Sequence, residues 1–338
     1  MKVESKVILQ VEEHFDSVEM AIPKPVGYLQ NADRTLLHHE VYDARHPLAA
    51  YNLSITAVCT RLVSLMETLG ELTESEPFRE IKNLNWDLPL VDAIDHVLDS
   101  MMEHMDVCNG IIRSLYLPSE ETAYKVAIRD FKRLVEPYRR DIGLIVNHLK
   151  HAQGQIRIVA FVWPEGSSLG YFIEAPMPGG GVGPHPELHP NRDTAFSLSR
   201  DIRFHICNLF GIGVRLATIL RDRIPGPPAN SAVQPASEPV TKLQQALTLC
   251  SQLPDVFYPD EVMLPMPFVA IKGGNLLVEF PARFTRPHRL PATARLSVFF
   301  GGDGVTQTYG IPYFRKNELP SVFRLPTGGC HATFFSIC

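Results

Sequence analysis

Between residues 88 and 116, Val91, Ile94, Leu98, Met101, Met105, Cys108, Ile112 and Leu115 recur in alternating steps of three and four. Only an α-helix places such positions on one side, so the segment must be a helix with an unbroken apolar stripe. That stripe needs partners, and the chain supplies three. Residues 48–70 carry Leu53, Ala57, Leu62, Leu65 and Leu69 at helical spacing and stop at Gly70. Pro118-Ser119 opens a third helix, with Glu120 and Glu121 in a first turn where the helix dipole favours acids. It runs to about His151 along Ala127, Phe131, Leu134, Tyr138, Ile142, Ile145 and Leu149, with a bend expected at Pro137. A fourth, over 193–221, shows Ile202, Ile206, Leu209, Leu216 and Leu220 on one face. Four amphipathic helices on short connections are best buried as a bundle.

The rest reads as strands and joints. Residues 6–23 alternate loosely as a short strand, and 24–47 read as an extended arm holding His38, His39 and His46. The apolar runs 156–162 and 169–173 flank a turn with Pro164 and Gly166, which is a hairpin over 155–174. The Pro- and Gly-rich stretch 176–191 excludes regular structure, and 223–240 has linker composition. A short helix at 242–253 and strand-like runs at 268–272, 275–280, 295–300, 305–311 and 332–336 follow. The expected fold is therefore α+β. An arm (1–47) precedes a four-helix bundle with an inserted hairpin (48–222), a linker, and a small β-rich C-terminal domain (241–338).

Composition narrows the function classes. Over 338 residues the net charge of -5 is modest and does not by itself suggest a nucleic-acid binder, although the last hundred residues carry a small positive excess. Six cysteines without a C-x-x-C pair fit a reduced cytoplasmic setting. The charged N-terminus is not read as a signal peptide, and the apolar runs are read as too short to span a membrane.

The third helix ends on Tyr138-Arg139-Arg140-Asp141-Ile142-Gly143-Leu144-Ile145-Val146-Asn147-His148-Leu149-Lys150-His151. At about 100° per residue, Arg140, Asn147 and His151 fall in one narrow arc opposite the core line. They point away from the bundle, as a solvated face or as one wall of a groove. An Asn-x-x-Lys-His run closing a helix, with Arg upstream and then a hairpin and another helix, resembles the HEPN superfamily over residues 48–222. That resemblance implies a helical bundle, often dimeric, which in many members cleaves RNA without metal in prokaryotic toxin or antiviral systems and in others only binds. It implies that Arg holds the scissile phosphate and His acts as acid or base. Arg140, Asn147 and His151 are the candidates, with Lys150 as an RNA contact. The spacing departs from the family's: His148 follows Arg140 by seven intervening residues. The run Arg200-Asp201-Ile202-Arg203-Phe204-His205 has four, so Arg200 and His205 form a second catalytic pair, although His205 lies at the edge of its helix's core stripe.

Two further features stand apart. Arg283, Arg286 and Arg289, interleaved with Phe284, suit single-stranded nucleic acid. His185 and His189 flank Glu187 in a proline-rich loop that metal chemistry would use only with additional ligands, so neither a metal nor another cofactor is assigned. The expectations are an RNA-binding protein or metal-independent endoribonuclease, a non-catalytic protein that dimerises and binds a protein partner, and a weaker histidine-ligated metalloprotein reading.

Overall fold

The computed structural model describes residues 10–74, 88–152, 154–178, 180–225, 237–282, 287–300, 309–314 and 330–334. The fold is mixed α+β. Among the described residues, six α-helices and nine strands run in the order β1 (Val11–Phe15), α1 (Lys24–Asn31), α2 (Pro47–Glu74), α3 (Leu88–Arg113), α4 (Glu121–His151), β2 (Ile156–Trp163), β3 (Gly166–Pro176), β4 (Val182–Pro184), β5 (Phe196–Ser197), α5 (Leu198–Arg223), α6 (Glu238–Gln252), β6 (Phe268–Lys272), β7 (Asn275–Phe280), β8 (Arg295–Phe300) and β9 (Cys330–Phe334).

The stripe of α3 is the core of the helical part, with Ile94, Leu98, Met101, Met105, Cys108 and Ile112 all buried. α2 lies between α3 and α6, α4 packs on α3, and α5 packs on α1, α3 and α4. The principal partners of α2 are thus α3 and α6, a more branched arrangement than four helices closed on one another. The expected apolar face of α2 is partly wrong. Leu53 is 55% exposed, while Tyr51, Ile55, Val58 and Cys59 are buried. The helix carries apolar residues on more than one side, and its neighbours decide which side is covered. Part of the expected arm is helical: Pro25 sits in the first turn of α1, where a missing N–H costs nothing, and Val26 and Leu29 are buried.

β2 and β3 pair antiparallel from Ile156↔Ile173 to Trp163↔Gly166 across a two-residue turn. Both strands are buried on both faces, which explains their nearly continuous apolar runs. Ile156, Ile158, Ala160, Leu169, Tyr171 and Ile173 face the helices. Val159, Phe161 and Phe172 face a second core with Tyr258, Leu296, Val298, Tyr309 and Ile311.

That second core corrects the expected C-terminal domain. Among the described residues, 241–338 builds no sheet of its own. β8 pairs with β2 and β9 with β8, extending the hairpin sheet. β6 and β7 pair with each other, and β7 takes β1 as its other neighbour. α6 starts at Glu238, inside the expected linker, and packs on α2. The expected strand at 305–311 lies mostly outside the described residues.

Two helices, Pro47–Thr73 of α2 and α5, are long and apolar enough to cross a bilayer by length and composition, contrary to the sequence reading. In α5 that apolarity is accounted for by burial within the protein, since most of its residues are covered.

Because β8 completes the hairpin sheet and α6 covers α2, the C-terminal third belongs to the same cooperative unit. A chain ending at residue 240 is expected to lose the sharp thermal transition of the full chain in circular dichroism. An undiminished transition would instead indicate an independent N-terminal domain.

Candidate functional site

On α4, Arg140, Asn147 and His151 are all exposed, as their helical phase requires. The Arg140 side chain is 70% exposed and its nearest partner is Asp141, with Nη2 at 3.2 Å from Oδ1. Burial pushes the Asp141 carboxyl up, against the pull of the Arg140 charge. Lys150 is turned sideways, its Nζ 2.8 Å from Asp99 of α3. His151 lies eleven positions after Arg140, a rise of about 16 Å along the helix. The two side chains therefore do not meet on one phosphate within a single chain.

The stripe extends further back than the sequence reading placed it. Arg129 and Arg133 fall in the same arc of about 40°, with side chains 72% and 73% exposed. Their acidic neighbour is Asp130, 3.8 Å from each. The outer side of α4 thus carries three arginines, an asparagine and a histidine over about 33 Å.

Arg200 and His205 lie in a different setting. Only 7% of Arg200 and 3% of His205 is exposed. His205 Nδ1 is 2.8 Å from the Tyr138 hydroxyl and its Nε2 is 3.2 Å from Asp201 Oδ2. Asp201 also accepts from the Tyr171 hydroxyl at 2.8 Å. Burial raises the Asp201 carboxyl, but His205, Tyr171 and Arg200 together hold it below its usual value. Arg200 Nη2 donates to the Pro265 carbonyl at 2.6 Å. This pair is a packed polar bridge between α4, α5 and β3, without access for a substrate. The sequence hint was present, since His205 lies at the edge of its helix's apolar stripe.

The sequence reading missed the companion of this bridge, Glu261, which is 1% exposed. It accepts from Ser197 N–H at 2.9 Å, Ser197 Oγ at 2.5 Å and Tyr258 N–H at 2.8 Å. Burial pushes its carboxyl up to about 7, while Arg200 and these donors pull it down. Three donors to one carboxylate anchor the turn at Glu261–Met263 beneath the start of α5. No local pattern in the sequence announces this, because Ser197 lies 64 residues away.

Of the arginines proposed near residue 286, Arg289 is exposed, and Arg283 and Arg286 lie outside the described residues. Among the described residues, no group of three or more His, Cys, Asp or Glu could hold a metal ion. His189 Nε2 is already taken by the Ile173 N–H at 3.0 Å. The crevice between β1, α1, α2, α5 and α6, beside the Lys24–Glu13 ion pair, encloses about 10 Å³, room for one water molecule.

No known protein family, curated protein or solved structure matches the chain.

Glu261 makes the buried network testable through pH. In the unfolded chain the carboxyl titrates near 4.5, and folding holds its proton to about 7. Between those values the folded protein keeps a proton that the unfolded chain has lost. Its contribution is full below about pH 4.5, falls as pH climbs and is gone above about 7, a change on the order of 3 kcal/mol. Glu261→Gln keeps the shape but turns an amide N–H toward Tyr258 N–H, costing about 1–3 kcal/mol. Urea unfolding of both proteins from pH 5 to 7.5 is expected to show the wild-type advantage shrinking as pH rises. A constant difference would mean that Glu261 is ionised throughout.

Proposed function

We propose that this protein binds RNA through its phosphate backbone along the outer side of α4, without cleaving it as a single chain. The observation that carries the reading is the outward stripe of Arg129, Arg133, Arg140, Asn147 and His151. Guanidinium groups suit phosphate because their planar fork gives two parallel hydrogen bonds. Their present partners are exposed ion pairs at 3.2–3.8 Å, which stabilise little and exchange readily. The stripe carries no Phe, Tyr or Trp, so any base stacking falls to the His151 ring and the guanidinium planes. Cleavage has less support. Arg140 and His151 stand too far apart for one phosphate, and Arg200 and His205 are engaged inside the protein.

A non-catalytic protein–protein role is the second reading, and one observation favours it. Val262, Met263 and Leu264 are 41%, 86% and 42% exposed on the turn that Glu261 anchors. A rigidly held apolar tip of this kind is costly to leave in water.

Fluorescence anisotropy with labelled RNA separates the two. Binding is expected to weaken steeply with salt, and replacing Arg133 and Arg140 by Ala should lower the slope of log Kd against log salt by about 1 per arginine. Arg221→Ala, on the exposed C-terminal turn of α5, serves as a control and should leave binding unchanged. Absence of micromolar binding at low salt would remove the RNA reading.

A further inference from the structure

The loop from His185 to Arg192 follows β4, which pairs with β3 from Glu174 to Pro176, and it is held against the same edge of β3 by the His189 ring and by main-chain contacts. His189 Nε2 accepts the Ile173 N–H at 3.0 Å, and the Ile173 carbonyl accepts the His185 N–H at 2.8 Å. The loop thus satisfies both main-chain groups of one strand residue on the side away from β2. Inside the loop, His185 Nδ1 accepts the Glu187 N–H at 3.3 Å. The His185 ring packs edge-on against His148 of α4, with ring centres 4.7 Å apart. His148 in turn donates from Nε2 to the Glu174 carbonyl at 2.8 Å.

Two of these rings work only when neutral. A ring nitrogen that accepts a backbone N–H must carry no proton, and protonation places two donors face to face. His189 is fully buried between Phe172 and Phe196, and its Nδ1, which must then hold the proton, has no hydrogen-bond partner. The closed loop therefore already bears one unmet donor.

We propose that His148, His185 and His189 form an acid-released latch, which closes the 185–192 loop over β3 at neutral pH and lets it go in mild acid. The surrounding charges agree. Burial and the charges of His148 and Arg192 push the His185 imidazole down, with Glu187 opposing them. Burial and His185 hold His189 down to about 3. The Glu174 carboxylate offers no relief, being taken by Arg157 at 2.6 Å. Once the loop opens, both rings return to the ordinary histidine range near 6.5. Protons therefore bind the open form more tightly. Closure is undiminished above about pH 6.5, and below it the opening constant rises by about tenfold per pH unit for each histidine so held. Release uncovers the main-chain groups of Ile173, in the gap between the β4 and β5 pairings of β3, and frees the last turn of α4. The latch does not depend on what α4 binds.

Hydrogen exchange of the full chain, corrected for intrinsic rates, reads the opening directly. From pH 6.5 to 4.5, protection at Ile173, Glu187 and His189 is expected to fall by about tenfold or more per pH unit, while amides of α3 keep theirs. His189→Gln retains an acceptor that does not titrate and should remove about tenfold per unit. His185→Asn keeps the two-residue turn, since Asn accepts the same N–H, and should flatten the remaining slope. Folding of either variant suffices. Protection that does not change with pH, a loss shared equally by α3, or a wild-type slope in the folded variants overturns the latch.

Discussion

Seventeen of the 26 residues of α5 are buried, among them Arg200, Arg203, His205 and Asn208. A buried charge is tolerated only when paired and hydrogen-bonded. That requirement organises the protein around α5. Arg203 is met by the carbonyls of Ser199, Leu253 and Pro254 and by Asp255 at 3.0 Å. Arg200 is met by Pro265, and His205 by Tyr138 and Asp201. The segment 253–265 is thereby fixed against α5, and the turn at Glu261 with it. These contacts confer geometry more than net stability, because desolvation offsets much of their attraction.

The hairpin sheet carries the same dependence. One face of β2 and β3 is covered by helices and the other mainly by residues from beyond position 255, together with Ala195 and Val182. Tyr258 spans the junction, its hydroxyl donating to the Val159 carbonyl at 2.9 Å and the Ser168 carbonyl at 3.3 Å. The sheet is therefore complete only when chain segments more than a hundred residues apart have met. Such closure is slow to form but makes unfolding cooperative once formed.

Against this covered interior, α4 is the contrast. It packs one side on α3 and α5 and leaves the opposite side to solvent with arginines that have only weak local partners. Its last turn leans on the histidine loop through His148. A surface able to bind and a loop able to move thus share one helix, while Glu261 and His189, both altered by burial, lie inside and affect stability and closure.

The sequence by itself determined the long helices, the hairpin and the outward direction of Arg140, Asn147 and His151. Each of these follows from a local period or a turn, which neighbours along the chain enforce. It did not determine the covered side of α2, since Leu53 and Ile55 both offer apolar faces. It did not show that the C-terminal strands divide between two sheets, because strand pairing joins residues as distant as Val11 and Phe280. Nor did it separate the two arginine–histidine pairs. Spacing alone favoured Arg200 and His205. Only the tertiary structure put that pair in the interior, where their hydrogen bonds are already filled, and left Arg140 and His151 in water, about 16 Å apart along the helix.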